Sequence, residues 1–192
     1  MSRTILLLRH SECIANERDL VCGVGNSPLS ARGAESLKSA GRYKLSSEWS
    51  LFSSPLSRCV ETTASLFNRE FEILEYLVEV DYGILEGRAK HEVEVELSEF
   101  GLRWDGLATS SVEKYRSAAR DLLSRPENNI LAVTHGGFIN FVVAEAMSIP
   151  DARFPFLRID NLHVSCLVEN QNGSWVMKFS NRDVSCLNEY FG

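Results

Sequence analysis

TILLLRHSE, residues 4–12, places four consecutive apolar side chains directly before an arginine, a histidine, a serine and a glutamate. A run that short and that uniformly apolar reads as a parallel strand covered on both faces. Its exit is cationic. In an open α/β sheet, ligands gather beyond the carboxyl ends of the strands, so Arg9 and His10 leave the strand where a ligand would sit.

The design recurs twice. WSLFSS (49–54) reads as a second strand; Pro55 then suits a helix start, and the helix is predicted to run to Phe67 with Arg58 in its first turn. NILAVTHGG (129–137) reads as a third strand, ending at His135 and the pair Gly136–Gly137 before an almost wholly apolar helix over 138–147. Elsewhere, residues 11–19 predict a short helix, 21–30 a loop, and Ser30 the cap of a helix to about Lys44 with Leu37 and Ala40 inward. FEILEYLVEV (71–80) mixes strand character with acidic residues, and signals weaken between Arg88 and Thr109. Val112, Tyr115, Ala119 and Leu122 mark a helix over 110–124 with Ser111 as its cap. Segments near 163–169 and 174–180, joined through Asn172-Gly173, predict a hairpin.

Strands alternating with helices predict an α/β fold: a three-layer sandwich with a mostly parallel central sheet, helices on both faces and an antiparallel hairpin near the C-terminus. With no linker, repeat or low-complexity tract, residues 1–192 are expected to form a single domain.

Bulk properties narrow the partners. A formal charge of −6 and a pI near 5.3 argue against nucleic acid and anionic membranes as partners, and no apolar stretch approaches the ~20 residues of a membrane span. Five scattered cysteines without CxxC spacing, and no secretory signal, predict reduced thiols in a cytoplasmic protein. Metal-ligand spacings and nucleotide-binding glycine loops are missing from the sequence, so neither a metal nor another cofactor is expected.

Three strand exits therefore deliver Arg9, His10, Arg58 and His135 to one sheet edge, beside two helix N-termini that favour negative charge. Gathering such groups in one pocket is costly unless an anion neutralises them, and a phosphate dianion meets that requirement. His91, between Lys90 and Glu92, reads as solvated, and His163 as structural. Cys59 reads as a small buried helix residue. The acidic run EVEVELSE (92–99) reads as a solvated helix face or a lid over the substrate.

LLLRHSECIAN, SSPLSRCVETT and LAVTHGG, in that order, resemble the signature segments of the histidine phosphatase superfamily, in its phosphoglycerate mutase-like branch. The resemblance places Arg9, His10, Glu12 and Asn16 in the first motif, Arg58 in the second and His135 in the last. VEVDYGILEG (78–87) is similar to the segment carrying the family's proton donor, which puts that role on Glu79, with Asp81 and Glu86 in reserve. It implies a metal-independent phosphatase that hydrolyses a small phosphorylated substrate through a phosphohistidine on His10. Arg9, Arg58 and His135 would grip the phosphate oxygens, and Asn16, Ser11, Cys22, Gly23 and Gly136 would line the phosphate and substrate site. A monomer or a homodimer fits this family.

Several positions depart from the family pattern. Ser11 follows His10 where glycine is usual, which opens a reading as a non-catalytic binder of phosphate ligands; a serine there either crowds the phosphate or donates a hydroxyl to it. Cys22-Gly23 stands where phosphoglycerate mutases carry Thr-Gly, Asn26 replaces a common aspartate, and Cys186 lies where many relatives end in His-Leu. The stretch from Glu86 to Ser110 is short for a mutase, so hydrolysis is favoured over phosphoglycerate-type transfer.

Overall fold

In the run Ile5–Leu8 alternate side chains enter two different cores. Ile5 and Leu7 join one apolar cluster, Leu6 and Leu8 the other, and all four are at most 1% exposed. That is the two-sided burial expected of a central strand, and each such side chain contributes about 1.5–3 kcal/mol relative to exposure. The computed structural model describes residues 2–99, 112–149 and 155–191.

Six strands form the sheet: β1 (Thr4–Arg9), β2 (Trp49–Ser53), β3 (Glu72–Ile73), β4 (Asn129–Thr134), β5 (His163–Glu169) and β6 (Trp175–Asp183). They lie in the order β3-β2-β4-β1-β5-β6. The first four are parallel, β5 runs antiparallel to β1, and β6 antiparallel to β5. Helices α1 (Ile14–Glu17), α2 (Ala31–Ala40), α3 (Ser57–Leu66), α4 (Lys90–Glu99), α5 (Val112–Leu123), α6 (Gly136–Ala146) and α7 (Asn188–Phe191) complete the described elements. α5 and α6 cover the face that includes Ile5, Leu7, Phe52, Ile130 and Ala132. α2, α3 and the C-terminal turns cover Leu6, Leu8, Leu51, Leu131 and Val133. The expected α/β sandwich, with helices on both faces and an antiparallel C-terminal hairpin, is the observed fold.

Register brings the strand exits together. Arg9 pairs with Thr134 and Ser53 with Val133, so β1, β2 and β4 end at the same level of the sheet. His10 and His135 each follow immediately.

Some boundaries differ from the sequence reading. The second helix ends at Ala40 rather than near Lys44, because Gly41 turns into the left-handed region (φ 73°) and its N–H closes on Leu37 and Lys38. The first helix is confined to Ile14–Glu17. α3 starts at Ser57 and α6 already at Gly136, with extended His135 as its N-cap. Within 71–80 only Glu72–Ile73 pair; Leu74, Leu77 and Val80 then turn into the core at three-residue spacing. The weak region holds α4, whose Val93 and Leu97 pack on Val21 while His91 stays exposed. The predicted cap Ser111 and the stretch from 100 to 110 lie outside the described residues. No described helix is long and apolar enough to cross a membrane.

Candidate active site

His10, 2% exposed, hangs from the end of β1. Its Nδ1 lies 2.6 Å from the Ser11 carbonyl, and its Nε2 lies 3.2 Å from the Arg58 Nε. A guanidinium nitrogen can only donate, so Nε2 accepts; the ring proton therefore sits on Nδ1 and is held by the backbone. Burial, with Arg9 and Arg58 beside it, pushes the His10 pKa well below the ordinary imidazole value. The ring is neutral, with its lone pair on Nε2.

Arg58, in the first turn of α3, is fully buried and ties the centre together. Its Nη2 donates to the Gly23 carbonyl at 2.7 Å and faces the His135 Nδ1 at 3.2 Å; its Nη1 donates to the Gly25 carbonyl at 2.9 Å. By the same donor logic His135 carries its proton on Nε2, where it meets the Ser54 hydroxyl at 2.8 Å. Burial and the neighbouring His10, Arg58 and Arg9 depress the His135 pKa as well. The two imidazoles meet edge-on with centroids 5.1 Å apart.

A cavity of about 430 Å³ opens in front of this cluster, lined in part by Arg9, Asn16, Cys22, Glu79, Gly136 and Gly137. His10, Arg58 and His135 do not line it; they contact one another instead. All four predicted nitrogen-bearing residues thus converge, but only Arg9 faces the hollow. Arg9 Nη1 donates to the Ile159 carbonyl at 2.5 Å, and its Nε is the one buried side-chain nitrogen or oxygen without a hydrogen-bond partner among the described residues. Burial lowers the Arg9 pKa from its ordinary value. An unpaired buried guanidinium N–H costs about 1–3 kcal/mol or more unless a ligand accepts from it.

Glu79 brings a buried carboxyl group to the cavity wall. Its Oε1 accepts from the Val80 N–H at 2.9 Å and its Oε2 from the Gly137 N–H at 3.1 Å, yet burial dominates and raises its pKa. The two reserve carboxylates are engaged elsewhere. Exposed Asp81 accepts from its own turn at Gly83 (2.8 Å). Glu86 accepts from the N–H groups of Val24 and Gly25 at 2.9 and 2.7 Å. The loop at 23–25 is therefore clamped, N–H groups on Glu86 and carbonyls on Arg58. Gly23 is required there, because a Cβ would stand 2.1 Å from the Glu86 Oε1.

Ser11 departs from expectation. It is fully buried, its hydroxyl donates to the Gly33 carbonyl at 2.8 Å, and its own N–H donates to Thr62 Oγ1 at 3.0 Å. It is not among the residues with positive φ and does not line the cavity, so it neither crowds a phosphate nor donates to one. The nearby helix packing explains this: Gly33 approaches so closely that a Cβ there would lie 2.0 Å from the Glu12 carbonyl oxygen. Glu12 itself pairs outward with Ser30 and Arg32. Asn16 does line the cavity; its Oδ1 accepts from Cys13 and Asn161, which leaves the amide nitrogen for the open side. Asn26 accepts from the N–H and hydroxyl of Ser57, capping α3. His163, at the start of β5, has its ring Nδ1 3.0 Å from the Asn161 carbonyl, away from the cavity lining. Cys59 is buried as expected, with its sulfur 3.4 Å from His135 Nε2.

Sequence reasoning missed three contributors. Gly137, rather than Gly136, is the sterically demanding glycine: a Cβ on it would lie 2.1 Å from Glu79 Oε1, whereas one on Gly136 would rest at 3.5 Å from Arg9. Asn140 accepts from Phe156 and Leu157 and donates to Gly136 and Leu157, holding the 156–159 wall to the head of α6. Asn161 donates to the His10 carbonyl at 2.9 Å. A lone asparagine inside the apolar stretch 138–147 was the available signal, since buried amides need partners. The Asn161 contact and the glycine clearance depend on segments far apart in the chain.

Solved structures share this architecture. A phosphoserine phosphatase from Entamoeba histolytica is 20% identical, with TM-score 0.76 and coverage of 93% of this chain and 96% of its own. The α-ribazole phosphatase of Shigella flexneri is 23% identical, with TM-score 0.71 and coverage of 93% and 96%. A mycobacterial glucosyl-3-phosphoglycerate phosphatase is 18% identical, with TM-score 0.69 and coverage of 95% and 100%. No curated protein sequence matches the chain. At these identities the likeness establishes the fold, whereas the family signature is matched over residues 5–183, nearly the whole chain. The chain belongs to the histidine phosphatase superfamily, branch 1.

Proposed function

We propose that the protein is a metal-independent phosphomonoesterase working through a phosphohistidine on His10. The observation that carries the reading is the state of that imidazole: neutral, proton held by the Ser11 carbonyl, lone pair on Nε2 against Arg58. Nε2 attacks phosphorus in line, and the ester P–O bond breaks. Before that attack, Arg58 exchanges its contact with His10 for the phosphate oxygens and frees the Nε2 lone pair; Arg9 supplies its unpartnered Nε–H, and His135 and the Asn16 amide complete the grip. Burial is the main cause of the depressed His135 pKa, and negative charge arriving beside it offsets the further lowering by Arg58 and Arg9, which favours the protonated, donating imidazole. Glu79, whose carboxyl is pushed toward the protonated form by burial, gives its proton to the departing alkoxide. As a carboxylate it next takes a proton from the water that attacks the phosphohistidine, releasing phosphate and restoring His10.

Phosphatase activity in the fold neighbours supports hydrolysis as the chemistry. The binder reading loses its motive, since the Ser11 hydroxyl is spent on Gly33. The test is phosphate release from an aromatic phosphate ester. Wild type turns over, His10→Ala does not, and brief exposure to substrate labels wild type with acid-labile phosphate. Equal rates for wild type and His10→Ala overturn the reading. Release of isomerised phosphoglycerate in place of phosphate would assign a mutase.

A further inference from the structure

Two thiols stand beside the phosphate grip, and the proposed reaction uses the chemistry of neither. Cys13, fully buried just before α1, and Cys22, on the cavity wall, have their sulfurs 3.9 Å apart. All five cysteines are free. Each member of this pair touches the site through a different neighbour. Cys13 Sγ donates to Asn16 Oδ1 at 3.1 Å. Cys22 precedes Gly23, whose carbonyl is one of the two that hold Arg58.

We propose that Cys13 and Cys22 are an oxidation site: a hydroperoxide converts them to a reversible disulfide, and this bond switches phosphate handling off. The switch rests on the phosphatase reading above; the bond does not. One thiolate of the pair attacks the peroxide oxygen, the O–O bond breaks, and the alkoxide or hydroxide that leaves takes up a proton, giving a sulfenic acid. The second thiol attacks that sulfur, the S–O bond breaks, and water departs with the remaining proton. Two electrons pass from the thiols to the peroxide. The Cys22 thiol and the Arg58 guanidinium both help Cys13 ionise, lowering its pKa, which supplies the thiolate needed for the first step.

Closing the pair to a disulfide moves the sulfurs about 1.9 Å toward each other. Cys22 then draws Gly23 away from Arg58, while Cys13 loses the proton it shares with Asn16. One bond thus alters a contact of Arg58 and a contact of Asn16 together. A pair formed this way persists only under oxidant and is cleared by dithiols, as suits a protein whose thiols are otherwise reduced.

The full-length protein is treated with stoichiometric hydrogen peroxide, followed by thiol titration and peptide mapping. The expected result is loss of two thiols, a Cys13–Cys22 linked peptide lighter by two hydrogens, and recovery of both thiols with dithiothreitol. Phosphate release from the aromatic ester falls roughly 100-fold in the oxidised protein, the scale of losing one oxyanion donor, and returns on reduction. Cys13→Ser and Cys22→Ala, each compared with its own untreated rate, lose the response to peroxide; the wild-type map decides the bond even if one variant fails to fold. Absence of the linked peptide overturns the site. A linked peptide with unchanged turnover overturns the switch. A protein inactive before treatment refutes the phosphatase reading and the switch with it, while the map still decides the bond.

Discussion

The floor of the site and its rim are built by opposite means. On the floor His10, Arg58, His135 and Ser54 are at most 2% exposed, and their polar atoms close on one another. At the rim the polar side chains point to solvent. Arg158 pairs with Asp160 at 2.8 Å while 85% of its side chain is exposed, and Lys90 pairs with Asp19 at 3.0 Å with 37% exposed. A polar contact is worth most where water cannot compete, so the floor is rigid and expensive to alter, whereas the rim is cheap. The difference teaches where to look for each property. On the proposed phosphatase reading, reaction chemistry belongs to the floor, and selection among substrates to the rim, where Tyr82, Lys90, Glu94 and Phe156 face the cavity.

Arg58→Ala strikes the floor hardest. It removes the tie between both imidazoles and the loop carbonyls, so kcat on an aromatic phosphate ester falls about 100- to 1,000-fold. Arg58→Lys recovers little of this, because an ammonium cannot reproduce the fork that meets His10, His135, Gly23 and Gly25. Recovery of most of the rate by lysine would show that charge alone is required, and the contrast between floor and rim would weaken.

Stability against pH isolates the floor from the rest. Both buried imidazoles have depressed pKa values, so below the ordinary histidine value of about 6.5 the unfolded chain binds protons that the folded chain refuses. Unfolding free energy is therefore lost as pH falls below that point, by about 1.4 kcal/mol per pH unit for each histidine until its folded pKa is reached. Denaturant midpoints between neutral and mildly acid pH measure it. A flat profile would mean that the folded imidazoles take up protons as readily as those of the unfolded chain. Glu79 works in the other sense: its pKa is raised, so phosphatase turnover is lost as pH rises through the folded value and the acid ionises.

Asn140→Ala probes the joint between the two regions. It removes the side-chain partner of the Phe156 and Leu157 N–H groups and of the Leu157 carbonyl, costing about 1–3 kcal/mol by denaturant unfolding. With the 156–159 wall loosened, KM rises more than kcat falls. The reverse split would give Asn140 a part in the chemistry. Arg158→Ala is the smallest change. Its exposed ion pair contributes about 0–1 kcal/mol, so the midpoint barely moves, and any effect is confined to KM for substrates with a second anionic group. A tenfold fall in kcat would place Arg158 with the floor.

What the sequence determined by itself was the parts list of the floor. TILLLRHSE and NILAVTHGG carry their own strand signal, and a strand's end is local information: apolar pattern, then a cation. Arg58 was legible for the same reason, lying one turn beyond a strand and a proline. Only tertiary structure decided what those parts do to one another. That Ser11 spends its hydroxyl on Gly33, that Glu86 clamps the 23–25 loop instead of serving as an acid, and that Gly137 must lack a side chain to admit Glu79 all depend on contacts across tens of residues. So does the closure of His10, Arg58 and His135 upon themselves behind the cavity. The reason is physical. Backbone pattern and periodicity are set by neighbours in the chain, whereas burial, clearance and hydrogen-bond partnership are set by whichever distant segment folding brings alongside.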